Sequence, residues 1–334
     1  MNWYMQTGKD GDVVLNNRIN YFRNLRNYKF ETKSLKEIQE IENLVKSNLP
    51  SIGYNLKFLK LKDMDELTRK SLSEKGLIDE QVLNDNISIL INDEENICVV
   101  LNAQDHFNIQ VFSSGMQLEN AFNLAREIDQ KFETIFDIAK SKKYGYLTTS
   151  PMDVGTGMKS QITLHLPGLT KTGNIRKISQ TINDFGLNFV AKYIKDSKAI
   201  GDIYQISNKQ TLGVSEEAII NNLKAIIEKL VEQERQARKL LGKNQIELED
   251  MIYRKYGILV NARKLKWEEA FDFLSDVKMG IDLGLIKEIN DSQIAKIYFY
   301  INPANLQKYF GKNLEAYDRD IKRAEMIKQI INEK

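Results

Sequence analysis

The sequence has little cysteine, little net charge and no long apolar run, and each shortage excludes a class of protein. Cys98 is the single cysteine among 334 residues, so no intrachain disulfide can form. It lies in an apolar run, which predicts a buried thiol. A formal net charge of +2 lacks the basic stripe expected of a nucleic-acid binder. No apolar run approaches the ~20 residues of a membrane span, and no signal-peptide core opens the chain. We therefore expect a cytoplasmic protein that binds neither nucleic acid nor membrane.

The composition that is present is typical of a soluble globular protein, with 42% hydrophobic and 28% charged residues. The length suits two domains. Short strand patterns alternate with helical patterns up to about residue 215, and almost every later pattern is helical. The sequence therefore predicts an α+β domain over residues 1–240, followed by a helical domain over residues 241–334.

Individual elements follow from periodicity and from capping residues. Ser34 and Glu37 form a capping box before apolar residues at helical spacing, which predicts a helix start. The acidic turn at 92–95 joins two strand patterns and predicts a hairpin. Strands are predicted at 87–91, 97–101, 107–112, 161–166, 187–193 and 202–207. Helices are predicted at 63–75, 117–140, 175–185, 215–241, 246–256, 267–279, 292–300, 306–310 and 314–332.

Residues 145–167, GYLTTSPMDVGTGMKSQITLHLP, carry the strongest motif. They resemble the signature of the ATP:guanidino phosphotransferases, and within that family the McsB-type bacterial protein-arginine kinases. Three further segments resemble family motifs, namely residues 12–25, 102–110 and 186–201. The resemblance covers nearly the whole chain. It implies a guanidino-kinase fold, with an antiparallel sheet flanked by helices, and the use of ATP with magnesium.

Phosphoryl transfer from ATP to a guanidinium needs fixed cations for the phosphates and carboxylates for the nucleophile. This chain departs from the family pattern at the positions that supply them. Ala103, Gln104 and Lys195 stand where the resemblance places glutamates. Arginines are replaced at Asn20, Asn108, Val190 and Lys159, and a cysteine at Ser150. Arg18, Asp105, His106, Thr156 and His165 match the pattern.

These losses predict a catalytically impaired or dead kinase. Removing a general base typically costs about 10²–10⁴ in rate, and losing a transition-state arginine about 10³–10⁵. Lys195 would also repel a cationic substrate, by ~4 kcal/mol at 4 Å and an effective dielectric of 20. Weak ATP binding would rest on Arg18, Lys159 and His165. The alternative for His165, which we favour, is a hydrogen-bonded core histidine. No metal ligands are identified.

The C-terminal part resembles the McsB-type C-terminal domain at residues 261–286 and 302–307. Residues 319–324, RDIKRA, match the R-D-x-x-R-A motif with which that family binds phosphoarginine. Arg319 and Arg323 are four residues apart on one helix face, where two guanidinium groups can bind a phosphoryl group. Asp320 can pair with the guanidinium part of the ligand, and Ala324 leaves room for it. The alternative is a solvated, salt-bridged helix end.

Three functions stay open at this point. The first is a pseudokinase that binds phosphoarginine-marked proteins as an adaptor or scaffold. For it, the resemblance implies a Clp ATPase and an McsA-like activator as partners. The second is an active protein-arginine kinase with a rewired site, which would have to recruit Asp196. The third is a structural subunit that regulates an active partner. A homodimer is compatible with all three.

Overall fold

The computed structural model describes residues 2–30 and 34–333, and an eight-stranded sheet organises its first two thirds. All pairings in the sheet are antiparallel, in the order β2-β3-β4-β5-β1-β8-β12-β9. Two small hairpins, β6-β7 and β10-β11, stand outside it. The strands are β1 (Val14–Arg23), β2 (Lys57–Lys60), β3 (Ser88–Ile91), β4 (Ile97–Leu101), β5 (Phe107–Ser114), β6 (Lys140–Ser141), β7 (Gly145–Tyr146), β8 (Met158–His165), β9 (Leu187–Ala191), β10 (Ile194–Lys195), β11 (Lys198–Ala199) and β12 (Ile203–Asn208).

Helices flank the sheet and make up the last third of the chain. They are α1 (Leu35–Ile52), α2 (Glu66–Glu74), α3 (Leu118–Ile135), α4 (Pro167–Lys171), α5 (Ile175–Asp184), α6 (Glu216–Leu241), α7 (Gln245–Asn261), α8 (Trp267–Asp282), α9 (Asp291–Tyr300), α10 (Pro303–Phe310) and α11 (Ala316–Ile331). Short 3-10 turns occur at Trp3–Met5, Leu61–Asp63, Glu80–Val82 and Pro151–Asp153. The α+β class and the guanidino-kinase-like arrangement are confirmed. No helix among these described ranges is long and apolar enough to cross a membrane.

Local sequence signals explain where several helices begin. The predicted capping box at the start of α1 is present, with Ser34 accepting from the Glu37 amide and Glu37 accepting from the Ser34 amide. Ser215 caps α6, whose first turn is acidic and whose last turn is basic, as the helix dipole favours. The hairpin predicted at 92–95 joins β3 to β4.

The predicted helix over 117–140 is wrong at its C-terminal end. α3 ends at Ile135 because Phe136 takes up an extended backbone, and residues 140–141 pair as a strand with residues 145–146. Strand β1 lies at the centre of the sheet, although its sequence, VLNNRINYFR, shows no clean alternation and was not predicted as a strand. Cys98 is fully buried, as predicted, and burial raises the pKa of its thiol to about 12.

The two faces of the sheet have different environments. The rear face carries Ile19, Tyr21 and Ile109 and packs against α1, α3 and α6 in the main apolar core. We call the opposite face, which carries Arg18 and Asn20, the site face. Its β3–β5 end is covered by an apolar cluster that includes Leu72, Leu77, Ile78, Cys98, Val100 and Phe112.

The helical region, α7–α11, has a core of its own. α6 ends at Leu241 and α7 begins at Gln245, so a short connection separates the regions. Two side chains of the sheet region, Ile200 and Ile203, nevertheless pack in the helical core. The two regions therefore share apolar contacts as well as a chain connection.

Candidate functional site

Strand register brings the positions expected to bind phosphate together on the site face. Asn20 of β1 lies opposite Lys159 of β8 and opposite Gln110 of β5. Arg18 precedes Asn20 by two residues and shares its face, because alternate residues of a strand point the same way. Arg18 and Lys159, the two cations expected to hold ATP, therefore lie close together on adjacent strands.

Arg18 is already engaged by protein groups. Its Nε donates to Asn20 Oδ1 at 2.9 Å, and its Nη1 lies 3.9 Å from Asp79 Oδ1. Its guanidinium carbon lies 5.6 Å from the ring centre of Phe112. The side chain is 15% exposed, and burial lowers the pKa of Arg18 while Asp79 opposes that shift. A phosphate would have to compete with these partners for the guanidinium.

Neutral amides line the rest of the site face near Arg18. Gln110 donates to the carbonyl of Leu77 at 3.0 Å, which leaves its Oε1 buried without a hydrogen-bond partner among the described residues. Asn108 Oδ1 and both side-chain polar atoms of Asn102 are likewise buried and unpaired within that part of the chain. Unpaired buried amides are costly, so this surface is suited to water or to another polar group, and it carries no charge of its own.

The loop at residues 102–106 contains two of the lost glutamate positions. Ala103 packs at the edge of the apolar cluster that covers the β3–β5 end of the site face. Gln104 is exposed, and its backbone carbonyl accepts from Thr149 Oγ1 at 3.0 Å. Neither side chain can accept a proton from a guanidinium nucleophile, because one is apolar and the other is a neutral amide.

Asp105 and His106, which match the family pattern, hold this loop in place. Asp105 Oδ1 accepts from Asn24 Nδ2 at 2.6 Å and from the Thr149 amide at 2.7 Å. The His106 amide donates to Asn24 Oδ1, and its Nδ1 accepts from the Leu25 amide. Both residues are buried. These hydrogen bonds position the loop.

The motif segment supplies one carboxylate near Lys159. Ser150 precedes the 3-10 turn Pro151–Asp153 as its N-cap residue. Burial raises the pKa of Asp153, while the charge of Lys159 acts in the opposite direction. Thr156, another matching residue, accepts from the Met158 amide and from Arg23 at its carbonyl.

The expected substrate loop is attached to the helical region. Lys195 of the β10-β11 hairpin donates to Glu268 Oε1 of α8 at 2.7 Å. This hydrogen bond raises the pKa of Lys195 and lowers that of Glu268. The charge of the Lys195 ammonium is therefore compensated by Glu268. The expected repulsion of a cationic substrate did not take this partner into account. Asp196 is exposed at the hairpin turn with a φ of 49°, and Val190 is exposed on edge strand β9.

His165 lies at the contact between the two regions. Its side chain is fully buried, and its Nε2 is 2.9 Å from Ser275 Oγ of α8. Ser275 in turn donates to Asp202 Oδ2 at 3.1 Å. Burial and the charge of Arg238 lower the pKa of His165, so the ring is neutral. This geometry is that of a hydrogen-bonded core histidine, the alternative favoured from the sequence.

The R-D-x-x-R-A motif lies on α11, as predicted, and its second arginine is a buried structural group. Arg323 is 2% exposed. It donates to the carbonyls of Ile301 and Leu265 at 3.0 and 2.8 Å and to Asp320 Oδ1 at 2.7 Å. Ala324 is buried in the helical core. The expectation that both arginines project from one open helix face is wrong for Arg323, because its donors hold three chain segments together.

Arg319 stays accessible at the same helix. It is partly exposed and donates from Nη1 to the Leu314 carbonyl at 2.9 Å. Its charge reaches Lys70 of α2, where it opposes the rise in pKa that Glu66 causes. Lys308 of α10 approaches the same helix α2, since its Nζ is 3.3 Å from Thr68 Oγ1. The junction of α2, α10 and α11 thus carries three cations.

Several of these contacts could not be foreseen from the motifs. Asp79 lies beside Arg18 and Glu268 pairs with Lys195, yet each carboxylate lies outside the positions that the family pattern singles out. Long-range pairs of this kind leave no periodic signal in a single sequence. Within residues 2–30 and 34–333, no group of three or more His, Cys, Asp or Glu side chains is placed to hold a metal ion.

Comparison with known families gives the class of protein. A family model for the ATP:guanido phosphotransferase C-terminal catalytic domain matches residues 37–237. A second, for the protein-arginine kinase McsB C-terminal domain, matches residues 245–334. The two matches define a guanidino phosphotransferase followed by an McsB-type helical domain.

Two full-length relatives make the assignment specific. A protein-arginine kinase of Halothermothrix orenii is 39% identical over 335 residues, which cover 99% of this chain and 96% of the relative. A protein-arginine kinase of a Geobacillus species is 38% identical over 98% of this chain and 92% of the relative. The chain therefore belongs to the protein-arginine kinase family.

Solved structures agree at the level of the fold. The duplicated taurocyamine kinase of Schistosoma mansoni superimposes with a TM-score of 0.62 at 20% identity, over 74% of this chain and 38% of that one. A lombricine kinase superimposes with a TM-score of 0.59 at 19% identity, over 69% of this chain and 68% of that one. This chain thus spans well under half of the duplicated enzyme.

Proposed function

We propose that the chain is a catalytically impaired or dead protein-arginine kinase homologue that binds phosphoarginine-marked proteins and acts as an adaptor in Clp-dependent protein quality control. The observation that carries this proposal is the residue set at the three glutamate positions. Ala103 and Gln104 cannot ionise as acids, and Lys195 is a cation paired with Glu268. A guanidinium nucleophile then has no carboxylate at these positions to orient it and accept its proton.

The phosphate side of the site supports the same proposal. Arg18 is bonded to Asn20 and lies beside Asp79, and the positions of Asn20, Asn108 and Val190 supply no charge. The cations available to bind ATP with magnesium would be Lys159 and Arg18, and Arg18 already contacts Asn20 and Asp79. The set of arginines that the family pattern implies is absent. Because transition-state charge in phosphoryl transfer is stabilised by fixed cations, this arrangement supports slow chemistry at best.

Phosphoarginine binding is supported by the junction of α2, α10 and α11. Arg319 can donate to a phosphoryl group with Lys308 nearby, whereas Lys70 is paired with Glu66 at 2.6 Å. Charge-assisted hydrogen bonds to phosphate are strong. Asp320 uses Oδ1 for Arg323 and is partly exposed, so it can also meet a ligand guanidinium. In this proposal Arg323 acts indirectly, by fixing Asp320.

One observation favours the alternative of an active kinase with a rewired site. Asp153 lies near Lys159, and burial raises its pKa, which is the property expected of a general base. Asp196, the carboxylate named from sequence, is exposed at a hairpin turn. A rewired kinase would therefore depend on Asp153 more than on Asp196.

The kinase test uses purified protein with ATP, magnesium and an unfolded arginine-rich substrate, and measures protein-bound phosphoarginine. We expect no signal above a reaction without enzyme. A signal that Asp153→Asn or Asp196→Ala abolishes, and that the matched surface variant Asp184→Asn retains, would overturn the pseudokinase proposal in favour of the rewired site.

The binding test uses titration calorimetry with free phosphoarginine. We expect heat of binding for the full chain, and a loss of affinity of at least about tenfold, or 1.4 kcal/mol, in Arg319→Ala. The control Arg254→Ala, on exposed α7, should bind as the wild type does. No heat at millimolar ligand would leave α11 as a charged helix end and favour a structural subunit instead.

A further inference from the structure

A groove runs between α5 and α6, on elements that carry none of the candidate site residues. It encloses about 590 Å³. Its wall on α5 consists of Asn174, Lys177, Ile178, Thr181, Ile182 and Phe185. Its wall on α6 consists of Asn222, Ala225, Ile226, Lys229, Leu230, Gln233, Gln236, Ala237 and Leu240, and Leu169 of α4 also lines it.

The spacing of these residues gives the groove its length and its character. Members of each wall recur every three or four residues, so each helix contributes one continuous face. From Asn222 to Leu240 that face extends roughly 27 Å at 1.5 Å per residue. Phe185 and Leu240 are 64% and 50% exposed. Exposed apolar side chains gathered along a groove with polar edges are typical of a binding surface.

The groove carries uncompensated positive charge. Lys177 and Lys229 line it, no carboxylate does, and neither lysine has an ion pair among the described residues. Three other cations of α6 are paired. Lys224 contacts Glu119, Arg235 contacts Asp10 and Asp12, and Arg238 contacts Glu234 and Asp282. The lysines of the groove therefore present charge to whatever occupies it.

We propose that this groove docks an amphipathic helix of a partner protein, with an apolar stripe against the groove and acidic residues beside Lys177 and Lys229. Two helical walls with apolar lining residues match the helix-in-groove mode of recognition. A second copy of this chain fits less well, because a two-fold interface brings the same patch of both copies together. The two sets of lysines would then face each other without carboxylates. This inference is independent of the proposed kinase and phosphoarginine functions.

The test measures fluorescence anisotropy of labelled helical peptides of about 18 residues, the length of the α6 face, against the full chain. The probe peptides carry an apolar stripe at i, i+3, i+4 and i+7, built in turn from Leu, Ile, Met or Phe, with flanking Glu. We expect saturable binding of at least one of them. Lys177→Glu combined with Lys229→Glu should weaken it at least tenfold, and Phe185→Ser should weaken it as well.

Matched controls distinguish docking in the groove from nonspecific binding of the peptide. The double variant Lys62→Glu with Lys142→Glu removes two exposed lysines elsewhere and should bind as the wild type does. A scrambled peptide and one with flanking Lys should bind at least tenfold more weakly. Circular dichroism establishes that each variant is folded.

Four outcomes would overturn the proposal. One is no saturable binding of any Glu-flanked peptide to the wild type. The second is equal binding of Glu-flanked and Lys-flanked peptides, and the third is an equal loss of binding in the control variant. The fourth is a concentration-dependent dimer in sedimentation that Phe185→Ser abolishes, which would assign the groove to a second copy of this chain.

Discussion

Lys195 of the β10-β11 hairpin donates to Glu268 at the start of α8, at a distance of 2.7 Å. The contact is one of several between this loop and the helical region. Tyr193 packs edge-on against Trp267, with ring centres 5.2 Å apart, and the Gly201 amide donates to Asp272 at 2.7 Å. A loop that the family resemblance assigns to substrate is thus attached to another part of the molecule.

The first prediction concerns the mobility of this hairpin. Glu268→Gln should raise hydrogen exchange of the amides in residues 194–199, because the charge-assisted contact is weakened. The melting temperature should change little, since exposed ion pairs stabilise proteins weakly. Hydrogen exchange followed by mass spectrometry measures the amides of residues 194–199 together with those of the rest of the chain. Lys198→Gln, on the same hairpin, is the control, and equal protection in wild type and Glu268→Gln would contradict the role of the pair.

The second prediction concerns nucleotide. A ligand stabilises the fold by RT ln(1 + [L]/Kd). Because Arg18 already contacts Asn20 and Asp79, we expect it to contribute little to the affinity for ATP. We expect little shift in melting temperature with millimolar ATP and magnesium. A shift of several degrees that is lost in Arg18→Ala, and kept when the exposed Arg26 is replaced by Ala, would show instead that Arg18 leaves Asn20 and Asp79 to bind nucleotide.

The third prediction separates the two arginines of the α11 motif. Arg323→Ala leaves the carbonyls of Leu265 and Ile301 buried without their donor, at about 1–3 kcal/mol for each group. We expect the free energy of unfolding to fall by at least about 2 kcal/mol. Arg319→Ala, on a partly exposed residue, should cost less than about 1 kcal/mol. Urea denaturation of both variants measures the difference, and equal stability would mean that Arg323 is not a structural group.

The fourth prediction concerns the buried pair behind the sheet. Arg23 donates to both carboxylate oxygens of Asp129 at 2.8 and 2.7 Å. Asp129→Asn leaves a buried cation uncompensated and should destabilise the fold by about 3–5 kcal/mol. Asp137→Asn, which breaks the exposed pair with Arg26, should cost about 0–1 kcal/mol. If Asp129→Asn lowers the free energy of unfolding by less than about 1 kcal/mol, in thermal or urea unfolding, the Arg23–Asp129 pair is not shielded from water.

The fifth prediction is a pH dependence. Burial lowers the pKa of His165 in the folded state, so the unfolded chain binds a proton at a higher pH than the folded chain. Stability contributed by the neutral ring is complete above pH ~6.5 and is lost as the pH falls toward the folded pKa, by up to ~1.4 kcal/mol per pH unit.

His165→Gln should remove this part of the acid destabilisation, since glutamine does not titrate. The measurement is urea unfolding of wild type and variant between pH 7 and 5. Burial raises the pKa values of Asp202 and Asp282, which acts in the opposite sense, but both chains share it. Parallel pH profiles for the two proteins would disprove a neutral buried ring.

Much of the fold could be predicted because its signals are local. The α1 capping box and the β3-β4 turn depend on neighbouring residues, and both were predicted correctly. β1 was missed because its burial comes from tertiary packing. Asn17 and Arg23 are buried polar residues of that strand, supported by contacts to Gly115 and to Asp129. A local pattern does not contain such partners.

In the candidate site, too, the local motifs could be recognised from the sequence and the tertiary contacts could not. The motifs predicted that Arg18 and Lys159 share a site, and the strands bring the two residues close together. They also predicted a helix at R-D-x-x-R-A, which is α11. They did not reveal which cations are compensated, because Asp79 and Glu268 come from segments 61 and 73 residues away from Arg18 and Lys195 along the chain. Nor did they reveal that Arg323 is buried, since helical spacing gives the face of a residue and not what packs against it.

Ile200 and Ile203 belong by sequence to the sheet region but lie in the helical core. β12, which begins at Ile203, also pairs with β8 and β9. Loss of β12 would break its pairing with β8 and β9 and would also remove Ile203 from the helical core. We therefore expect the whole chain to melt in one cooperative transition. A fragment beginning after α6 would expose the apolar surface that these two side chains cover, and would be prone to aggregation.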